Sequence, residues 1–246
     1  MTNGAAYRKL TPRLASIRDE IAKNGFVDRI YEIGTDHAYL PISLIQSGVC
    51  GAVDAADISA KSLERAKANV HGSGLSDRIA FYAGDGFRAF TNYEPGKTVV
   101  IAGIGGVKIA EIVCEGYERA NDASLLALQP MNSQEALREK LIGMGFEIKY
   151  ETLAIEGRRV YSLLFCGRAR QNIVYAPEEL YIGKKVIYKA IGEYLGFLRF
   201  TRIKVLNRHN GLKSAIGGLG DFSDELRKLE AVLHAIDDRI DRYQGE

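Results

Sequence analysis

Arg29-Ile30-Tyr31-Glu32-Ile33-Gly34-Thr35-Asp36-His37-Ala38-Tyr39-Leu40-Pro41 runs an apolar strand into an acid, a glycine turn and a cluster of polar groups. A glycine after a strand permits a sharp strand-to-helix turn and lets a ligand come close to the main chain. The stretch therefore reads as a cofactor pocket, with polar groups crowding its mouth. Working outward, Thr11-Pro12 ahead of Leu14, Ile17 and Ile21 gives an N-cap, a proline in the first helical turn and a helical apolar stripe. Downstream, strands are expected at 29–33, 52–56, 79–83, 98–102 and 124–128. Helices are expected near 38–47, 60–71, from 106 and at 133–143. Strands separated by helices imply a parallel sheet covered on both faces.

The sheet ends differently from how it begins. Residues 146–153 and 159–165 are strand-like runs joined through Glu156-Gly157, too close together for a helical crossover. They predict an antiparallel hairpin closing a Rossmann-like α/β sheet. That is the pattern of class I S-adenosylmethionine (SAM) dependent methyltransferases. After about residue 172 the strand signals stop. Ile187, Ile191, Tyr194, Leu198 and Val205, with Thr201 at the vacant step, form one helical stripe. Phe222, Leu226, Leu229, Leu233, Ile236, Ile240 and Tyr243 form a second with four-three spacing. With Gly-rich residues 211–220 between them, the two predict an antiparallel coiled-coil hairpin, its first arm roughly 45 Å long. The expected division is a SAM-binding domain over 1–170 and a helical domain over 171–246.

The carboxyl ends of successive strands carry the chemistry. Glu32-x-Gly34 lacks the second glycine of the dinucleotide fingerprint. Asp57, followed by Ile58, stands where a carboxylate can accept both ribose hydroxyls, although it could equally cap the next helix. Asp85 in Gly84-Asp85-Gly86 could take the exocyclic amine of adenine or merely form a tight turn. Ala102-Gly103-Ile104-Gly105-Gly106 leaves a fourth wall open to ligand. Four such features at the edge where open α/β sheets bind ligands point to a nucleoside-type cofactor, SAM rather than NAD.

Gly34-Thr35-Asp36-His37-Ala38-Tyr39-Leu40-Pro41, Gly84-Asp85-Gly86, Ala102-Gly103-Ile104-Gly105-Gly106 and Leu128-Gln129-Pro130 resemble the motifs of the bacterial tRNA (adenine-N1)-methyltransferases that modify adenine 22 of tRNA. The likeness spans nearly the whole chain, from Leu10-Thr11-Pro12-Arg13-Leu14 to the terminal helices. Thr35 stands where serine is commoner, Ile104 where methionine is usual, and Met131 where asparagine often follows Gln-Pro. The resemblance implies SAM as cofactor, held by Glu32, Gly34, Thr35, Asp57, Ile58, Asp85, Gly86, Ala102, Gly103 and Gly105, and tRNA as partner, with Gln129 facing the substrate.

Adenine N1 owns a lone pair, so methyl transfer needs chiefly alignment. A carboxylate near the base then stabilises the charge that methylation creates. Asp36 is the candidate for that role, with His37 and Tyr39 positioning the base; for His37 and Tyr39 a purely structural role is the competing reading. The target base must be extruded before N1 is reachable, which calls for a broad RNA-binding surface. Arg8, Lys9, Arg13 and Arg18 could contribute. So could the first helical arm and its loop, where Lys184, Lys189, Arg199 and Arg202 are among eight basic residues set against Glu193 alone. The second arm holds seven acids and four basic residues between Asp221 and Arg242, so mutual neutralisation of the arms is the alternative.

A 46% apolar and 26% charged composition excludes disorder. The chain has no apolar run of membrane-spanning length, and Met1-Thr2-Asn3-Gly4 opens without a signal-peptide core. A cytoplasmic monomer is expected, with no membrane partner. Cys50, Cys114 and Cys166 lack metal-ligand spacing and are expected to be buried apolar residues, with no metal site. The competing readings are a nicotinamide oxidoreductase, disfavoured by the single-glycine turn, a methyltransferase acting on another RNA or a small molecule, and a non-catalytic adaptor that keeps the fold.

Overall fold

The computed structural model describes residues 10–171, 173–215 and 222–244. Its first strand, β1 (Val27–Ile33), lies inside an eight-stranded sheet and follows helix α1 (Pro12–Ala22). The chain continues through α2 (Tyr39–Gln46), β2 (Cys50–Asp57), α3 (Ala60–Gly72), β3 (Ile79–Ala83), a short 3-10 turn (Gly86–Ala89) and β4 (Thr98–Ile104). Then come α4 (Gly106–Glu115), α5 (Tyr117–Asn121), β5 (Leu125–Pro130), α6 (Gln134–Gly143), β6 (Phe146–Glu156) and β7 (Arg159–Arg168). The last elements are α7 (Pro177–Ile182), β8 (Val186–Ile187), α8 (Ile191–Ala215) and α9 (Ser223–Gln244).

The strand order is β3-β2-β1-β4-β5-β7-β6-β8. Strands β1 to β5 pair in parallel, whereas β7 runs antiparallel to both β5 and β6. The direction of the chain across the sheet reverses between β1 and β4, opening a crevice at their carboxyl ends. Alternation along the strands decides which side each residue covers. Tyr31, Ile33, Val99, Ile101, Leu126 and Leu128 pack with α4 and α6 on one face. Ile30, Val53, Val100, Leu125 and Ala127 pack with α1, α2 and α3 on the other. The predicted cap of α1 is present, Thr11 Oγ1 accepting from Leu14 N at 3.5 Å.

A third core unites Leu153 of β6 with Ile182, Tyr194, Phe197, Leu198 and Val205, and with Leu229, Val232, Ile236 and Ile240 of α9. Arg202 reaches Asp237 and Arg208 reaches Glu225, so later residues of α8 meet earlier ones of α9 and the two helices are antiparallel. Several expectations need correction here. Strand signals do not stop at residue 172: β8 adds to the sheet beside β6, with Glu151 opposite Val186. Ile187 therefore lies in a strand, and both Ile187 and Ile191 are exposed rather than on the helical stripe. The first arm is 25 residues, shorter than expected, because the chain ahead of it forms the separate helix α7 and strand β8 before α8 begins at Ile191. Residues 216–220 of the Gly-rich stretch, and Arg8 and Lys9, lie outside the described residues. Cys50 and Cys166 are buried, but Cys114 is exposed.

A buried ion pair ties the helical segment to the sheet. Arg138 of α6 and Glu151 of β6 are both fully buried, 2.6 Å apart. Arg138 Nη1 also donates to the carbonyls of Leu180 and Tyr181 at the end of α7, at 2.6 and 3.3 Å. A charge this deep is tolerable because its donors are so fully engaged. Among the described residues, no helix is long and apolar enough to cross a membrane.

Candidate functional site

The turn after β1 is pinned to the end of β2. Gly34 N and Thr35 N both donate to Ala56 O, at 2.8 and 3.1 Å. Gly34 has φ +88°, in the left-handed region that favours glycine. Ala38, at the head of α2, is also left-handed, with φ 54°, an unusual conformation for a residue with a Cβ. It is held there by its neighbours: Asn69 Nδ2 donates to His37 O at 2.9 Å, and Ile42 N to Ala38 O at 3.0 Å. The turn is thus preset rather than loose.

Two buried polar atoms in this turn are poorly partnered. Among the described residues, neither Glu32 Oε2 nor Thr35 Oγ1 makes a well-aligned hydrogen bond, although the Thr35 hydroxyl lies close enough to the Glu32 carboxyl to interact with it. Burial pushes the Glu32 carboxyl up to about 7; the nearby Thr35 hydroxyl pulls it down, and Asp57 raises it further. Orphaned buried polar atoms cost free energy unless a ligand completes them. Asp57 at the end of β2 accepts from Ser59 N at 2.7 Å, while the α3 cap is Ser59 itself, accepting from Ser62 N at 3.2 Å. The adjoining Ile58 is 75% exposed, an apolar face beside that acid. Asp85 precedes the 3-10 turn and caps it with no side-chain bond. These features suit a ligand with a charged amino-acid end, a ribose and a flat apolar base.

The β4 end supplies the opposite wall. A Cβ on Gly106 would lie 2.4 Å from Ser133 O, and Gly106 N donates to Asn132 O at 3.0 Å. Only glycine fits where this turn meets the one after β5. Gly103 N donates to Gln129 Oε1 at 3.1 Å.

Asp36, His37 and Tyr39 share one rim. Asp36 Oδ1 accepts from Arg65 at 2.7 Å and from Ser62 Oγ at 3.1 Å, and Oδ2 lies 3.3 Å from His37 Nε2. The His37 and Tyr39 rings stack at 5.1 Å. Ser62, Arg65 and Asn69, which brace this rim, are absent from the sequence reading. Their spacing on one α3 face was visible, but nothing local aimed that face at residue 36. Asn132 and Ser133 were likewise missed, the strained Ser133 at φ 50° opening α6.

The expected substrate contacts are scattered. Gln129 is fully buried and its amide is occupied by Arg13, Gly103 N and Pro130 O. Arg13 is largely buried too, bonding Gln129 at 2.5 Å and lying over the Tyr161 ring, because α1 packs against the hairpin. Neither faces outward as a substrate contact would. Lys184 and Lys189 precede α8 and are not on the helical arm. Lys184 donates to Val174 O and pairs with Glu179 at 3.3 Å. Arg202 is paired with Asp237, so at that step the arms do neutralise each other, whereas Arg199 and Lys189 are exposed.

A methyltransferase-domain family model matches residues 10–164. The tRNA (adenine(22)-N(1))-methyltransferase of Bacillus subtilis is 30% identical over 178 residues, covering 72% of this chain and 73% of that protein. The chain belongs to the tRNA (adenine(22)-N1)-methyltransferase family. Among solved structures, a Rossmann-superfamily protein from Streptococcus agalactiae superposes with TM-score 0.73 at 26% identity, covering 94% of this chain and 97% of that one. TrmK of M. capricolum, determined with S-adenosyl-homocysteine, superposes with TM-score 0.70 at 23% identity, covering 94% and 98%, and supports the fold. The residues matched by the family model include Glu32, Asp57 and Asp85.

Proposed function

We propose that the protein is a SAM-dependent methyltransferase that methylates N1 of adenine 22 in tRNA. The observation that carries the cofactor reading is the buried pair Glu32 Oε2 and Thr35 Oγ1, neither with a well-aligned hydrogen-bond partner among the described residues, beneath a glycine turn. Glu32, Gly34 and Thr35 would hold the amino-acid end of SAM, Asp57 the ribose, and Ile58, Asp85 and Gly86 the adenine, with Ala102, Gly103 and Gly105 as the facing wall. When bound, SAM supplies an electrophilic methyl group on a sulfonium. Asp36, His37 and Tyr39 face the target base. Arg65 and Ser62 fix one Asp36 oxygen, leaving the oxygen near His37 to meet the base. Adenine N1 attacks through its own lone pair, so no base is needed before attack. Asp36 then stabilises the positive charge gained by the ring or takes a proton from its exocyclic amine.

The chain is read as two units, a methyltransferase domain and a C-terminal coiled-coil hairpin with an RNA-binding role, acting in the cytoplasm as a monomer. Asp36→Asn tests the assignment of the rim. Unchanged SAM affinity by calorimetry with turnover lowered about a hundredfold or more is expected; wild-type turnover would remove Asp36 from the chemistry.

A further inference from the structure

A groove of about 210 Å³ lies between the head of α6 and α8. Asn132 forms one end of it, and its carbonyl accepts from Gly106 N, so the groove opens beside the β4 turn. The first turn of the ten-residue helix α6 lines this groove, with Ser133 left-handed at the cap position and no side chain capping its amides. Uncapped amides at a helix head attract anions.

The opposite wall makes an independent case. Thr201 lines the groove, is 3% exposed, and its hydroxyl has no hydrogen-bond partner among the described residues. A hydroxyl buried without a partner in the middle of a helix is costly unless something completes it. One turn on, Lys204 also lines the groove. Its Nζ rests over the Phe200 ring at 4.8 Å and makes no ion pair among the described residues. Arg208 lines the groove as well but is held by Glu225 at 2.6 Å, and Glu135 brings a carboxylate to the same walls. Among the described residues that line the groove, Lys204 is therefore the cation left to meet an incoming anion.

We propose that this groove seats a phosphodiester of the RNA substrate. The phosphate meets the α6 amides on one side and Lys204 and the Thr201 hydroxyl on the other. The inference rests on the tRNA reading above and moves the RNA contact of the α8 arm from Arg202, which is paired, to Lys204. A seat beside the β4 turn would anchor the backbone near the extruded base, where misplacement harms alignment most.

The test is filter binding of an unmodified tRNA transcript at several salt concentrations, with SAM affinity measured alongside. Lys204→Ala should lower the slope of log affinity against log salt by about 1, as loss of one phosphate contact does. Thr201→Val keeps the shape and removes the hydroxyl; tRNA affinity should fall about tenfold, with SAM affinity retained and the melting temperature no lower than that of the wild type. Lys228→Ala, an exposed cation on α9, should leave the slope at the wild-type value. A Lys204→Ala slope equal to that of Lys228→Ala, or wild-type tRNA affinity in Thr201→Val, overturns the proposal. Formation of 1-methyladenosine by the wild type is scored separately, so failure of the groove is distinguishable from failure of the tRNA reading.

Discussion

Glu32→Gln is the perturbation whose size follows most directly from the structure. The Glu32 carboxyl is buried and its pKa is raised from 4.5 to about 7. Between those values the folded protein keeps a proton that the unfolded chain has lost, so stability falls as pH rises through this window and levels off above it. A gap of about 2.5 units at about 1.4 kcal/mol per unit amounts to roughly 3 kcal/mol. Glutamine has no proton to lose, so urea melts of both proteins from pH 5 to pH 8, which span most of the window, should show the variant gaining about 2.5 kcal/mol relative to the wild type. The same group should govern the cofactor. If its carboxylate form meets the SAM ammonium group, wild-type affinity should rise about tenfold from pH 6 to pH 8 beyond any rise in the variant. Parallel stability profiles for the two proteins would refute the reasoning about burial. Parallel SAM profiles with divergent stability would remove Glu32 from the ligand site.

Other consequences are equally open to measurement. Arg138→Met leaves Glu151 buried without its partner and should destabilise the protein by about 3–5 kcal/mol, read from denaturant melts; restoring much of it in Arg138→Met/Glu151→Met would locate the cost in the unpaired charge. Gly106→Ala drives a methyl into Ser133 O and should lower the melting temperature and SAM affinity together, whereas wild-type behaviour would mean the β4 turn yields freely. Charge reversal at the exposed Lys189 and Arg199 should weaken tRNA binding in a salt-dependent way and leave SAM affinity alone, by titration of each ligand.

Much of the sheet was legible because its signal is local. Val99 to Ile101 and Leu125 to Leu128 are apolar runs bounded by glycine or polar turns, and the hairpin announced itself through the short Glu156-Gly157 link. The carboxyl-end acids were readable for the same reason, since a strand that ends in an acid beside glycine is a pattern along the chain. What the sequence hid depends on partners far away in it. β8 is two residues long and exists only because β6 offers an edge. The burial of Arg13 and Gln129 follows from α1 lying across the sheet, 116 residues distant. The bracing of Asp36 by Arg65 depends on how α3 is laid beside the β1 turn. Basic residues on α8 looked equivalent in a one-dimensional count; the structure separates Arg202 and Arg208, which face acids of α9, from Arg199 and Lys204.

The central claim is methyl transfer to N1 of adenine 22. A methyl group there blocks Watson–Crick pairing, so reverse transcription of a treated, unmodified tRNA transcript should stop beside that position only when enzyme and SAM are both present. Digestion of the same RNA should yield 1-methyladenosine. A stop at position 22 that vanishes when adenine is replaced there is the predicted result; labelled methyl at another base, or none with SAM bound, would contradict the account.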